Sequence, residues 1–447
     1  MRKEINMLEG SIWDKILLFV LPLAATTILQ QLFNAADVAV VGQFVGKHAM
    51  AAVGSNAAIV GLIINLFNGI ALGSNVVIAR YIGQGREDRI GKAVHTSILF
   101  SVLGGTAMAV IGELIAGPLL VALDVPDEIY DMALLYLRIV FAGLPVVLLY
   151  NFESAIFRSR GDTKTPLIAL VLSGVVNVGL NLMFVIDFKM SVAGVALATV
   201  ISNFLSSVML FVALTRRKDS LKVSIKELRI DLKILSKILK IGLPAGIQGS
   251  MFSIANIIIQ SAVNSLGADV VAASSAAFNI EILSYYIVNA FGQATTTFTG
   301  QNYGAGNIKR CRRIFALSLS MASGITLFVS AIIIAFGEVL LSLFNSEPGI
   351  IQIAMVRIIA IVGFEILNVL VDAPSGALRG YGRSVSPAVL SLVGICGVRI
   401  LWVYTVFAKN PTFDVLMAAY PISWIVTSTL IFIAYFIIIK RLTSAEK

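Results

Sequence analysis

Residues 16–45 read ILLFVLPLAATTILQQLFNAADVAVVGQFV, thirty residues with one charged side chain, Asp37. A helix crosses the hydrocarbon core of a bilayer with roughly 20 mostly apolar residues. This run exceeds that length, so it is expected to tilt, bend or protrude. Pro22 stands near its start, where a proline costs least or bends the helix. Eleven more apolar runs follow, over 51–78, 93–118, 131–157, 165–187, 192–214, 238–266, 270–298, 314–336, 351–378, 387–408 and 415–439. Hydrophobic residues form 58% of the chain and charged residues only 13%. Soluble domains carry about a quarter charged residues, and 447 residues would need two or three such domains. There are too few polar residues to coat them, so the bilayer is the solvent. The expected fold class is an all-α polytopic membrane protein with twelve transmembrane helices.

Lysine and arginine set the orientation, because positive loops stay cytoplasmic. Of 34 basic residues, 28 fall in seven segments: the N-terminus, the loops after helices two, four, eight and ten, a central stretch, and the C-terminus. The loops on the other side hold little beyond Lys47, Lys189 and Lys409. Both termini are expected in the cytoplasm of a multi-pass protein of the inner cell membrane. The net charge of +9 therefore reads as topology and not as nucleic-acid binding, which gathers basic residues on a soluble face. No cleavable signal peptide is evident, since the first apolar run is far longer than an h-region. Cys311 and Cys396 lack metal-ligand spacing and are expected to stay unpaired. His48 and His95 form no cluster, so neither a resident cofactor nor an enzyme's active site is expected.

A shift of 221 residues carries many landmarks of the first half onto the second. It takes Gly46 to Gly267, Asn68 to Asn289, Gly85 to Gly306, Arg89 to Arg310, Ser154 to Ser375, Arg158 to Arg379, Gly161 to Gly382 and Pro166 to Pro387. The matches favour the residues that punctuate loops and helix ends. Each half holds six helices, so the halves share one orientation, related by a pseudo-two-fold axis along the membrane normal. Transporters built in this way hold substrate between their halves and rock them for alternating access. The expected organisation is a first lobe over 1–214, a basic linker over 215–237, and a second lobe over 238–447. The linker is expected to form an amphipathic helix on the cytoplasmic membrane surface.

Four segments carry a resemblance to a known family: LPLAATTILQQLFNAADVAVVGQFVG (21–46), ARYIGQGRED (79–88), FRSRGDTKTP (157–166) and GQNYGAGN (300–307). LRGYGRSVSP (378–387) is the repeat partner of the third. Together they resemble multidrug and toxic compound extrusion (MATE) transporters. The resemblance implies export of amphipathic, mostly cationic compounds, driven by inward flow of Na⁺ or H⁺. The expected partners are the lipid bilayer and small organic substrates, and a monomer suffices.

An ionisable residue inside a membrane is expensive, which points to function. Asp37 lies nine residues before Gly46, Asn177 and Asn181 lie ten and six before Asp187, and Thr199 lies eight after Ser191. Helix rise puts all four at similar depth, roughly 9–15 Å from the outer surface. A carboxylate, two amide carbonyls and a hydroxyl make a hard-oxygen set for Na⁺. Asp37 alone could instead take and release a proton. The resemblance implies a cation site on the helix-one aspartate with polar partners on helices five and six, matching Asp37, Asn177 and Thr199. Asn181 stands where some members carry aspartate. Two asparagines hydrogen-bonding between packed helices are the plainer alternative.

The second lobe departs from the family, because IGLPAGIQGSMFS (241–253) has no glutamate early in helix seven. Glu281 and Glu365 lie near the midplane, where either could attract a cationic substrate or stand protonated or hydrogen-bonded against another helix, and Asn368 shares the face of Glu365. Asp372 and its repeat partner Asn151 complete the candidate substrate residues. Asp372 and Glu153 stand two turns before Arg379 and Arg160, and are expected to make polar contacts at inner helix ends. Arg399 in helix eleven either pairs with a carboxylate or snorkels. No ATPase motif is present, so transport is secondary. The alternative function is a flippase for lipid-linked precursors, which calls for more intramembrane basic residues than Arg399.

Overall fold

A computed structural model describes residues 4–123, 125–345 and 347–444. It is all helical among these residues, with twelve helices long and apolar enough to cross a membrane. They are α1 (Trp13–Phe44), α2 (Lys47–Gly83), α3 (Glu87–Ala122), α4 (Asp127–Ser159), α5 (Lys164–Asp187) and α6 (Ser191–Thr215), then α7 (Leu232–Asn264), α8 (Ala268–Gly304), α9 (Ile308–Ala335), α10 (Pro348–Gly380), α11 (Val385–Phe407) and α12 (Phe413–Ser444). Every apolar run of the sequence falls on one of them to within two residues, and most of the helices extend beyond the run by a turn or more. The runs mark only the hydrocarbon-facing part, and the helices continue past it into polar ends, as at Arg80 and Glu87.

Among the described residues the helices pack as two units, one of residues 4–5 and 25–246, the other of 6–24 and 247–444. The units differ from the sequence halves by an exchange: the first three turns or so of α1 belong with the second unit, and the first part of α7 belongs with the first. Each exchange falls two residues after a proline inside the helix, Pro22 and Pro244. A mid-helix proline removes a backbone hydrogen bond and allows a bend, so each helix can leave one packed core for another there.

Within the first unit α4 packs on α2, α3 and α6, and within the second the later part of α10 packs on α8, α9 and α12. Two GxxxG pairs let α2 and α7 meet at backbone distance. A Cβ on Gly69 would stand 2.1 Å from the Gly246 nitrogen, and one on Gly73 would stand 2.4 Å from the Ile238 carbonyl oxygen. Helices in lipid gain from such close contact through dispersion rather than through hydrophobic exclusion. The outer surfaces are correspondingly greasy, with Leu114, Val175, Phe328 and Tyr404 each more than two-thirds exposed. The repeat landmarks have a backbone reason. Gly46 and Gly267 have φ of 118° and 103°, and Gly161 and Gly382 have 91° and 73°, a region other residues seldom adopt.

The linker corrects an expectation. It forms no amphipathic helix on a membrane surface: α6 ends at Thr215, one 3₁₀ turn spans Ile225–Glu227, and α7 starts at Leu232. Leu221 and Val223 are buried in the core of the first unit. The Ser224 N–H donates to His95 Nε2 at 3.0 Å, and the Asp231 N–H to Thr96 Oγ1 at 3.0 Å. Polar anchors on α3 thus hold the segment down, and its backbone is spent on them rather than on a helix. Beside it Arg217 bridges Asp219 (2.6 and 2.8 Å) and Glu4. Burial alone would raise the Asp219 pKa, but the hydrogen bonds from Arg217 and the nearby Arg160 outweigh it and hold the carboxyl below its ordinary value.

Candidate functional site

In the first unit α1 and α5 run side by side because Gly174 leaves room for Phe33; a Cβ there would stand 2.0 Å from the ring. One helical turn beyond Phe33 is Asp37, and one and two turns beyond Gly174 are Asn177 and Asn181. This register brings together the four residues that depth alone had aligned. Asn181 Nδ2 donates to Asp37 Oδ1 at 2.5 Å and to Asn177 Oδ1 at 3.2 Å. Thr199 Oγ1 of α6 donates to Asp37 Oδ2 at 2.9 Å. Asp37, Asn177 and Asn181 are buried, Asn181 completely.

Two details bear on chemistry. The Asn181 amide presents its NH₂ to the carboxylate, leaving Asn181 Oδ1 buried without a hydrogen-bond partner. A four-oxygen cage for Na⁺ therefore requires that amide to turn over, exchanging NH₂ for carbonyl. The Thr199 hydroxyl has a second acceptor, the Val195 carbonyl at 3.0 Å, yet only one proton to give. If Asp37 gains a proton on Oδ2, it can donate to Thr199 while the threonine proton swings to Val195, with no heavy atom moving. Just beyond Asn181 the backbone widens into a π-helical turn, Met183–Asp187, a deviation common at functional sites. Tyr136 of α4 lies within electrostatic reach of Asp37. Sequence reading passed it over, because one tyrosine in an apolar run is indistinguishable from core.

Since a Cβ on Gly174 has no space, Gly174→Ala should push Phe33 and the Asp37 turn away from α5. Overpacking of this kind costs about 1–3 kcal/mol. The expected result is a lower thermal midpoint together with lost cation response, and a Phe33→Leu change in the same chain should recover part of both.

The five candidate substrate residues are divided between the units. Asn151 is half-buried in the first unit, and the other four lie in the second. Glu281 is already paired. Arg357 of α10 donates Nη2 to its Oε1 at 2.5 Å and Nε to its Oε2 at 3.0 Å, and donates Nη1 to Ser274 Oγ at 2.6 Å. Glu281 thus takes the alternative of a glutamate bonded to a neighbouring helix, and Arg357 corrects the reading of Arg399 as the lone intramembrane arginine. The signal for Arg357 was present, one arginine nine residues after Pro348 in an apolar run, but its carboxylate partner lies 76 residues away in sequence.

Arg399 neither pairs with a carboxylate nor snorkels. It donates to Ser423 Oγ at 3.1 Å and Asn256 Oδ1 at 3.3 Å, and lies 4.0 Å from the Tyr420 ring centroid. Buried arginine on an aromatic face gains a cation–π attraction. Glu365 accepts from Asn368 Nδ2 at 2.9 Å, within electrostatic reach of Arg399. Asp372 interacts with Arg379, whose Nη2 donates to Gln248 at 2.8 Å, and Asp372 Oδ2 is buried without a partner. Gln248, midway along α7, is thus an acceptor for arginine. On the first unit's side Glu153 makes its polar contact with α6, accepting from Ser207 Oγ at 2.9 Å, and Arg160 pairs with Glu4 at 3.1 Å. Seven residues along the chain carry Arg160 past the helix end, so it turns to the N-terminal segment.

The sequence model of the MatE family matches this chain twice, over 22–183 and 244–405, once in each half. A probable multidrug resistance protein YoeA of Bacillus subtilis (strain 168) is 28% identical over 446 residues, covering 97% of this chain and 95% of its own. A probable multidrug resistance protein NorM of Thermotoga maritima is 26% identical, covering 85% of this chain and 82% of its own. A crystal structure of a MATE protein in complex with MaL6 superposes with a TM-score of 0.93 over 99% of this chain and 100% of its own, at 23% identity. Twelve spanning helices, a polar cluster on α1, α5 and α6, and a family match in both halves agree: the chain belongs to the MatE family of transporters.

Proposed function

We propose that this transporter is a secondary antiporter that exports amphipathic, mostly cationic compounds by alternating access, coupled to inward flow of Na⁺ or H⁺. The observation that carries the reading is the Asp37–Asn177–Asn181–Thr199 cluster, a carboxylate sunk among helices with no basic partner in the contacts that hold it. A carboxylate in that setting has few ways to lower its energy other than binding a cation. The names of the multidrug resistance relatives support the substrate class. The 28 basic residues in alternate segments support a topology with both ends of the chain in the cytoplasm. The flippase alternative gains nothing from Arg357, because Glu281 already takes its charge.

The test is efflux of a fluorescent organic cation from proteoliposomes with Na⁺ and pH gradients imposed one at a time. Efflux driven by Na⁺ alone assigns the oxygen cage with Asn181 turned over. Efflux driven by pH alone assigns the proton exchange between Asp37 and Thr199. No response to either gradient across several cationic dyes would remove the coupled-antiport reading.

A further inference from the structure

At the end of the first unit where α2 closes and α7 begins, a cavity of about 560 Å³ is lined by Tyr81, Arg86, Arg89, Lys233, Lys237 and Lys240. None of its described lining residues is acidic. Three carboxylates adjoin it in sequence and none lines it: Glu87 opens α3 beside Arg86, Asp88 stands 3.6 Å from Arg89, and Asp231 Oδ1 accepts the N–H groups of Lys233 and Ile234 that open α7. Lys237 Nζ donates to Tyr81 Oη at 3.0 Å, so one lysine is held against the wall. Five cations around one hollow repel one another unless an anion joins them.

The repeat shows what such a place takes. The 221-residue shift carries Arg89 to Arg310 and Tyr81 to Asn302, and aligning Pro244 with Pro22 sets Lys237 against Lys15. In the second unit those three counterparts meet backbone oxygens of the chain's own N-terminal segment. Asn302 Nδ2 and Arg310 Nε donate to the Met7 carbonyl at 3.0 and 3.3 Å, Arg310 Nη2 donates to the Glu9 carbonyl at 3.1 Å, and Lys15 also donates to Glu9 O. One copy of the repeat thus fills this corner with oxygen acceptors from within. The other leaves it open and adds Arg86, Lys233 and Lys240.

We propose that this cavity binds the phosphate of an anionic phospholipid headgroup, with Arg86, Arg89, Lys233 and Lys240 as its donors. A lipid suits it better than a soluble phosphate because Leu232, three-quarters exposed, lines the same hollow at the end of two spanning helices. That rim offers an acyl chain a greasy start beside the charges, the arrangement by which basic pockets between membrane helices hold anionic headgroups. The leaflet is the inner one under the orientation proposed above, and the binding itself does not depend on the transport reading.

The experiment is native mass spectrometry and thermal melting of the full-length protein, titrated with phosphatidylglycerol, phosphatidylcholine or inorganic phosphate. Phosphatidylglycerol should remain bound and raise the melting midpoint, with little effect from phosphatidylcholine. The triple variant R86Q/K233Q/K240Q should bind it about a hundredfold more weakly, from about a factor of five per basic residue. Those three side chains are exposed and Lys237 is left in place, so the fold should stand. The triple variant K309Q/R312Q/R313Q removes the same charge from exposed positions elsewhere and should stay within about threefold of wild type. Equal losses in both triples would overturn the site in favour of general surface attraction. Saturation by millimolar inorganic phosphate, with no further shift from phosphatidylglycerol, would overturn the lipid as occupant.

Discussion

Asp37→Asn should abolish gradient-driven efflux while leaving the protein folded and inserted. The substitution is nearly isosteric, and the site can re-form its hydrogen bonds around it. The new carbonyl accepts from Asn181, as Asp37 Oδ1 does at 2.5 Å. The new NH₂ donates to Thr199 Oγ1, whose proton turns to the Val195 carbonyl at 3.0 Å. What disappears is the formal charge. Removing one member of a buried charge interaction costs about 2–5 kcal/mol, so cation binding should weaken by two orders of magnitude or so. The check is proteoliposome efflux under separate Na⁺ and pH gradients, alongside a melting curve. Near-normal coupled efflux by a well-folded variant would sink the assignment of Asp37, whichever ion carries the coupling.

Glu281→Gln should destabilise the second unit by about 3–5 kcal/mol, because it leaves the Arg357 guanidinium buried without its counter-charge. Arg357 would keep Ser274 and the Phe278 and Tyr420 rings, which are neutral partners. A buried ion pair can often be exchanged for apolar side chains of similar volume at little cost. The double variant Glu281→Leu, Arg357→Met should therefore recover most of the lost melting temperature. Two results would count against this account: a stable Glu281→Gln protein with impaired transport of cations, or a double variant no better than the single one. The first would return Glu281 to the substrate-attracting role its depth suggested.

The two predictions divide along what each residue's neighbours in sequence reveal. Asp37 and its three partners could be lined up in advance because helix rise converts sequence distance from a loop into depth. Depth alone does not say whether they meet. They meet because Gly174 admits Phe33, which sets the register of α1 against α5. Even then the direction of the Asn181 amide, which separates a ready oxygen cage from one needing rearrangement, follows from the packed neighbours. For Glu281 the same depth argument pointed to substrate, and Arg357, 76 residues away, answers it.

Helix number, spacing and the two-fold repeat were legible in the chain because the bilayer imposes them one segment at a time. Each crossing must be long and apolar enough on its own, and each loop must carry its own charge and its own glycines. Gly46, Gly161 and their partners mark backbone turns that local geometry requires. Interactions between segments obey no such local rule. The exchange of α1 and α7 between packing units, the folding of the linker onto His95 and Thr96, and the capture of Glu281 by Arg357 all join residues far apart in sequence. Only the packed fold chooses those partners, because a buried charge or backbone group takes whichever complementary group the neighbouring helices bring within reach.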